Sequence, residues 1–354
     1  MRLERASAVR VRIPLCAPFA TATGTWRERD TWIVRLRDAG GRQGVGEASL
    51  DPAADDAAQE RLGAAIRHWL ATGDLSTTTT QHPDPSERSV VAAIEAARLD
   101  LGAVALVDGP VSRSVAVNAT IATEDRSGSL AAAVGAVERG YATLKLKGGR
   151  ERSSAELIER LAAIRQAVGP DIALRLDVNG AWDMALARER LDALAPLDLE
   201  YVEQPIPAGD SGALARLRDA SPVPIAADES VTSLAAARAL LAAGAADVLV
   251  VKPGRVGGPL VALAIAREAQ AAGVGVTIST LLETGVGLTA ALRVAACVPG
   301  GVHGLATGDV LVSDLLARPL AVQAGRMAVP AGLATSLDEA AVARYAIDRI
   351  GEDR

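Results

Sequence analysis

Between residues 111 and 306 the chain alternates short apolar runs with Ala-rich segments of helix length, and it does so eight times. The runs lie near 115–121, 143–147, 173–178, 199–203, 223–227, 247–251, 274–279 and 303–306. Apolar runs of this length, each followed by a helix, read as parallel strands covered on both faces. The count of eight and the regular spacing predict an α/β fold, a (β/α) TIM-like barrel, over a doubly wound sheet.

Residues 1–110 do not share this rhythm and read as a separate small α+β domain. Alternating runs at 8–13 and 31–37 predict antiparallel strands, with Gly40-Gly41 turning the chain before Val45. Helical patterns follow over 53–71 and 86–106, separated by a Thr- and Pro-rich loop at 77–85. The barrel occupies 111–315, and the segment 316–354 is expected to return to the first domain. A net charge of −6, with Arg scattered among acids, argues against nucleic acid as a partner. No apolar run reaches the length of a membrane span, and the charged start lacks a signal-peptide core, so the cytoplasm is the expected location. Cys16 and Cys297 are isolated, which leaves no readable disulfide framework or thiolate metal site.

The chain has three lysines among 37 basic residues, and all three sit at ends of predicted barrel strands: Lys145, Lys147 and Lys252. Arg serves everywhere else. Lys differs from Arg in that a lowered pKa lets it lose its proton near neutrality, so these positions call for a titratable amine. Three acids fall in phase with them: Asp177 ends LRLD, Glu203 ends LEYVE, and Asp228 lies in AADES. Each step between neighbours is about one βα unit, so five consecutive strands carry a charged residue at the carboxyl end, where barrel active sites are built. Three carboxylates on one rim repel one another unless a cation sits among them, and hard oxygen donors suit Mg²⁺, with Mn²⁺ as a substitute. Such an ion stabilises the charge formed when the carbon next to a carboxylate loses its proton. The substrate is therefore expected to be a small-molecule carboxylate. Lys145 and Lys147, two apart, point to the same face of a strand, and their mutual repulsion is expected to lower one pKa. Lys252 faces the substrate from across the barrel.

The set Lys145-Leu146-Lys147, Asp177, Glu203, Asp228 and Lys252 resembles the muconate-cycloisomerase subgroup of the enolase superfamily. DVNGAW, EQP, ADES and KPGRVGG occur in that group's order and spacing, and the resemblance runs from GVGEASL to GLATGDVLVSDL. It implies that residues 1–110 form a capping domain and that Asp177, Glu203 and Asp228 ligate Mg²⁺. It also implies that Lys147 is the base, tuned by Lys145, and that Lys252 acts on the opposite face. Several reactions share such a site: o-succinylbenzoate synthesis, dipeptide epimerisation, N-acylamino acid racemisation and muconate cycloisomerisation. VAVNATIAT and HGLATGDVLVSDL most resemble the o-succinylbenzoate synthases, which act in menaquinone synthesis. The Asp-x-Asp pair common near the last strand of dipeptide epimerases is missing at residues 304–307, although Asp309 lies close by. Barrels of this kind often assemble into dimers or octamers, so a homo-oligomer is compatible with the resemblance.

Other positions carry weaker signals. Asn179 is expected to orient the metal site, and Glu229 to reach the metal or a lysine. Glu283, just past the seventh strand, is expected to line the site or contact Lys252, with a solvated loop acid as the equal alternative. His303 reads as a core or rim histidine. The segment 19–29 resembles the loop that closes over the substrate in this superfamily, which makes Phe19 and Trp26 candidates for contact with an apolar ring.

Overall fold

The computed structural model describes residues 3–21, 24–73, 84–102, 104–107, 111–123, 125–332 and 336–351, so most of the expected loop at 77–85 lies outside the described residues. Strands β1 (Leu3–Thr21) and β2 (Gly24–Asp38) form a long antiparallel hairpin, and β3 (Gln43–Ala48) pairs with β2. Both hairpin strands run well beyond the segments with obvious alternation. The expected loop at 19–29 is largely strand, with Phe19 paired to Trp26 across the ladder. The physical reason is cross-strand contact between the two rings, which extends the pairing past the apolar-alternating portion.

Helices α1 (Asp56–Thr72) and α2 (Pro85–Asp100) complete this unit. Pro85 opens α2 in the first turn, where its missing N–H costs nothing. The helix stops short of the predicted 106, at Gly102 with φ 70°. Helix α2 lies directly on β3. A Cβ on Gly46 would fall 1.9 Å from the Ala93 carbonyl oxygen, and one on Gly44 would fall 2.1 Å from that of Ala97. Only glycine admits this approach, which seats Glu47 and the following turn at Asp51 against the second unit.

The second unit begins with β4 (Ser114–Val117) and β5 (Ala119–Ile121), where the sequence predicts one continuous strand. It then alternates: α3 (Arg126–Glu138), β6 (Thr143–Lys147), α4 (Ser154–Val168), β7 (Ala173–Asp177), α5 (Met184–Leu194), β8 (Leu199–Glu203), α6 (Ser211–Ala220), β9 (Ile225–Ala227), α7 (Leu234–Ala242), β10 (Val248–Val251), α8 (Pro253–Val256), α9 (Pro259–Ala271), β11 (Gly275–Ile278), α10 (Gly285–Ala295) and β12 (Val302–His303). Strands β5 to β11 form one curled parallel sheet in chain order. Asp125, Ser153, Asp183, Asp210 and Ser233 cap α3 to α7, each side chain accepting from the N–H three residues on.

The break between β4 and β5 falls at Asn118, whose N–H donates to the His303 carbonyl at 3.0 Å while its Oδ1 accepts from buried Arg175 at 3.1 Å. Strand β12 pairs in parallel with β4, and Gly304 bridges in parallel to Ser279 beyond β11. Past residue 315 the chain does two things. The hairpin of β13 (Val322–Gln323) and β14 (Arg326–Ala328) adds antiparallel to β4, which corrects the expectation that the whole tail leaves the barrel. After α11 (Glu339–Tyr345), β15 (Ala346–Ile350) pairs antiparallel with β1. The main core lies between the parallel sheet and its helices, with Leu144, Leu146, Leu174, Leu176 and Val202 pointing outward into it. Tyr201, Ala226 and Val250 form a small separate cluster on the inner face. No helix among the described residues is long and apolar enough to cross a membrane.

Gly46→Ala is expected to lower stability by about 3 kcal/mol, the upper end of overpacking costs, because neither the strand nor the helix backbone can retreat. Urea unfolding of the variant against the wild type checks this; an unchanged midpoint would contradict the contact.

Candidate active site

Strand alternation places leucines on the outer face and charged residues on the inner one. Lys147, Asp177 and Glu203 end β6, β7 and β8, and the register pairs Lys147 with Asp177 and Asp177 with Glu203. Asp228 and Lys252 follow β9 and β10 by one residue. The three acids are fully buried and Lys145 and Lys147 nearly so.

The side chains interlock. Lys145 Nζ lies 2.6 Å from Glu203 Oε1 and 2.8 Å from Asp177 Oδ2. Lys147 Nζ donates to the same Asp177 oxygen at 2.7 Å and to Asn179 Oδ1 at 3.0 Å. Lys252 Nζ donates to Asp228 Oδ2 at 2.6 Å. Arg255 Nη1 donates to Asp228 Oδ1 at 2.7 Å, and its Nη2 reaches Asp51 Oδ2 at 3.1 Å, tying the first unit to this acid. Asn179 donates from Nδ2 to Glu229 Oε1 at 2.9 Å. Gln204, at φ 41°, accepts on Oε1 from the N–H groups of Asp228 and Ser230.

Burial works against the Lys145 ammonium, but Asp177 and Glu203 outweigh it and hold the amine well above the ordinary lysine range. Repulsion from Lys147 therefore does not lower this member of the pair, because two carboxylates lie within 2.8 Å of its ammonium. Burial would raise the carboxyl of Asp177, yet Lys145 and Lys147 pull it below the usual range; Lys252 and Arg255 do the same for Asp228. Glu203 is pushed up to about 8 by burial and by Asp177, against the pull of Lys145. Burial, Asp228 and Asp177 likewise raise Glu229.

This pattern bears on whether a metal fits. Among the described residues no three His, Cys, Asp or Glu side chains are gathered to hold an ion as they stand, because each acid is turned toward a lysine or arginine. The donor set itself suits a hard cation: three buried carboxylates on adjacent strand ends, with Glu203 Oε2 buried and unpartnered. A cation there would offset both the burial and the repulsion from Asp177 that raise Glu203.

A cavity of about 380 Å³ opens over the cluster and is lined by Lys145, Lys147, Asp177, Glu229, Lys252 and Arg255. Phe19 and Trp26 line its outer wall, their rings stacked with centroids 6.1 Å apart. Glu283 is not among the lining residues, and it contacts neither the cavity nor Lys252. It is buried behind the wall, where its carboxylate accepts from the Leu281 N–H and burial and nearby Glu47 push it up to about 7. The turn at Leu282, φ 61°, sends Leu281 and Leu282 into the cavity instead. His303 is a buried core residue whose Nδ1 accepts from the Ile278 N–H. The sequence reading missed Asp51, Arg139 and Tyr141 as cavity residues and assigned no role to Gln204, although Gln204 stood in the EQP motif.

Residues 129–341 match the family model described as Enolase C-terminal domain-like. The chain is 30% identical to the chloromuconate cycloisomerase of Cupriavidus pinatubonensis over 98% of its own length and 99% of the relative's. It is 37% identical to the o-succinylbenzoate synthase of Thermobifida fusca over 73% and 78%. With the L-Ala-D/L-Glu epimerase of Bacillus subtilis it shares 30% over 84% and 85%. The crystal structure of muconate lactonizing enzyme from Pseudomonas fluorescens, complexed with muconolactone, superposes with a TM-score of 0.86 at 27% identity, covering 98% of this chain and 99% of that one. The paired lysines, the three strand-end acids and the match over most of the chain place this protein in the enolase superfamily, among the relatives of the muconate cycloisomerases.

Proposed function

We propose that this enzyme forms o-succinylbenzoate by syn-dehydration, the elimination step expected in menaquinone synthesis, on a closed (β/α) barrel capped by residues 1–110 and the returning C-terminal end. The observation that carries an α-proton reaction is the opposed amine pair: Lys145 and Lys147 on β6, and Lys252 beyond β10, around one cavity with three buried acids between them. Closure of the barrel is supported by the pairing of β12 with β4 and by the bridge from Ser279 to Gly304. The synthase reading is supported by the 37% identity to the Thermobifida enzyme and by the stretch 304–307, which brings no carboxylate to the site.

Asp177, Glu203 and Asp228 would hold Mg²⁺ or Mn²⁺, with Asn179 and Glu229 bonded to one another beside them. When bound, the ion supplies positive charge against the substrate carboxylate and the negative charge that develops on it. Lys147 Nζ takes the proton from the adjacent carbon. As the double bond forms, the hydroxyl leaves, and the same ammonium returns the proton to it so that water departs. Lys252 stays protonated on the other face and steadies the developing charge. Lys145, held protonated by its two acids, keeps Lys147 and the carboxylates in place. Phe19 and Trp26 cover the apolar ring. The molecules in the relatives' names, chloromuconate, o-succinylbenzoate and L-Ala-D/L-Glu, all carry two carboxylates, so the substrate here is read as a di-acid. Asp309, which lines the cavity, favours the second reading, epimerisation of a dipeptide with a cationic amine.

Turnover is expected to need added Mg²⁺ or Mn²⁺ and to vanish in excess chelator. Asp177→Asn, Glu203→Gln and Asp228→Asn should each cost at least three orders of magnitude in kcat. Undiminished dehydration after dialysis against chelator would sink the metal assignment. For the lysines, Lys147→Ala should abolish dehydration of the cyclohexadiene precursor, while Lys252→Arg, which keeps the charge without titrating, should retain measurable elimination. Proton NMR in D₂O decides between the two readings. Rapid α-exchange with inversion on L-Ala-L-Glu, together with no dehydration of the precursor, would replace the synthase by an epimerase.

A further inference from the structure

Helices α1 to α7 and α10 each begin with a side chain that caps them, but α9 does not. Its N-cap is Gly258, and Pro259 in the first turn has no N–H. The partner for its next N–H comes from the other unit: Glu95 of α2 accepts the Leu260 N–H on Oε1. Gly258 has φ 128°, and a Cβ there would lie 2.3 Å from Glu95 Oε2 and 3.4 Å from the Ala92 Cα, so the chain enters α9 pressed against α2. Two turns back along the same face of α2, Arg88 Nε donates to the Arg255 carbonyl at 3.2 Å. The gripped segment, 255–260, starts three residues after Lys252 and is tied to it. The Lys252 carbonyl accepts from the N–H groups of Arg255 and Val256 at 2.9 and 3.1 Å, and the Gly258 N–H donates to the Pro253 carbonyl at 2.9 Å.

We propose that Glu95 is a positioning residue for Lys252: by capping α9 across the boundary between the two units, it fixes the turn that carries the Lys252 amine. The inference rests on the reading of Lys252 as a functional amine on one face of the substrate, and it adds what holds that amine there. Lys252 Nζ reaches Asp228 Oδ2 at 2.6 Å on a flexible stem, so its place depends on where its backbone is set. A displacement of about 1 Å at a reacting group can cost a hundredfold in rate. Lys145 and Lys147 belong to β6, which is held by pairing with β5 and β7, whereas Lys252 lies one residue beyond β10. The contact with α2 is therefore specific to Lys252. Burial pushes the Glu95 carboxyl up to about 7, against the pull of the Leu260 N–H and of Arg98. A neutral carboxyl still accepts an N–H through its carbonyl oxygen, so an amide of the same shape is expected to replace it.

The chain holds three lysines, all of them lining the active cavity, so lysine labelled with ¹³C at Cε reports each amine of the full chain by NMR without any substrate. Lys252→Arg identifies the Lys252 signal by its loss. Glu95→Ala should shift or broaden that signal and leave those of Lys145 and Lys147 in place, and Glu95→Gln should leave all three at their wild-type positions. In turnover, Glu95→Ala should lower kcat roughly tenfold with KM within about twofold, and Glu95→Gln should stay close to wild type. An unmoved Lys252 signal in Glu95→Ala overturns the proposal, and so does equal movement of all three, which would mark a general loosening. Unchanged kcat in Glu95→Ala, or a Gln variant that behaves like the Ala variant, overturns it as well. Turnover is followed both as dehydration of the cyclohexadiene precursor and as epimerisation of L-Ala-L-Glu. A wild type active only in the second removes the synthase and leaves the positioning test intact. A wild type inactive in both removes both readings of the reaction, and the lysine signals then decide the positioning by themselves.

Discussion

Everything in the active cavity depends on one electrostatic arrangement: three buried carboxylates held apart by three ammonium groups. An isolated buried charge costs several kcal/mol even after relaxation, so none of these side chains is tolerable alone. Together they interlock, with Asp177 shared by Lys145 and Lys147, and Asp228 by Lys252 and Arg255. Balance is incomplete at Glu203, which keeps one oxygen unpartnered and is raised by burial and by its acidic neighbours. The imbalance falls on the middle of three adjacent strand ends.

The first unit contributes more than a cover. Glu47, on the strand packed against α2, accepts from the Thr284 N–H, the Thr284 hydroxyl and the Gly287 N–H at the start of α10. Asp51 reaches Arg255, and the Arg88 side chain donates to the Arg255 carbonyl. These bonds tie the antiparallel sheet to two loops at the carboxyl ends of the parallel strands. The glycines at 44 and 46 let α2 lie directly on the strand that carries Glu47.

Several readings of the sequence were overtaken by tertiary contacts. Glu283 was placed by its position after a strand, but the left-handed turn at Leu282 rotates it behind the cavity wall. A strand-end position in sequence does not specify which way the following turn sends a side chain. Two lysines on one strand predict that one pKa is lowered; that Lys145 is instead held charged is decided by the acids on the neighbouring strands, which become its neighbours only when the sheet forms. The single strand expected over 115–121 divides at Asn118, because that residue is held by Arg175 and His303 from distant parts of the chain.

The sequence by itself determined the alternation of strand and helix, the strand ends that carry Lys147, Asp177, Glu203, Asp228 and Lys252, and the resemblance those residues bear to one superfamily. Parallel strands buried on both faces leave a continuous apolar signature, and a charged residue that ends such a run stands out against it. Tertiary structure alone decided which ammonium meets which carboxylate and which loop residues line the cavity. Those contacts join residues far apart in the chain and depend on sheet register, on turn handedness and on close backbone packing, none of which leaves a local pattern in the order of amino acids.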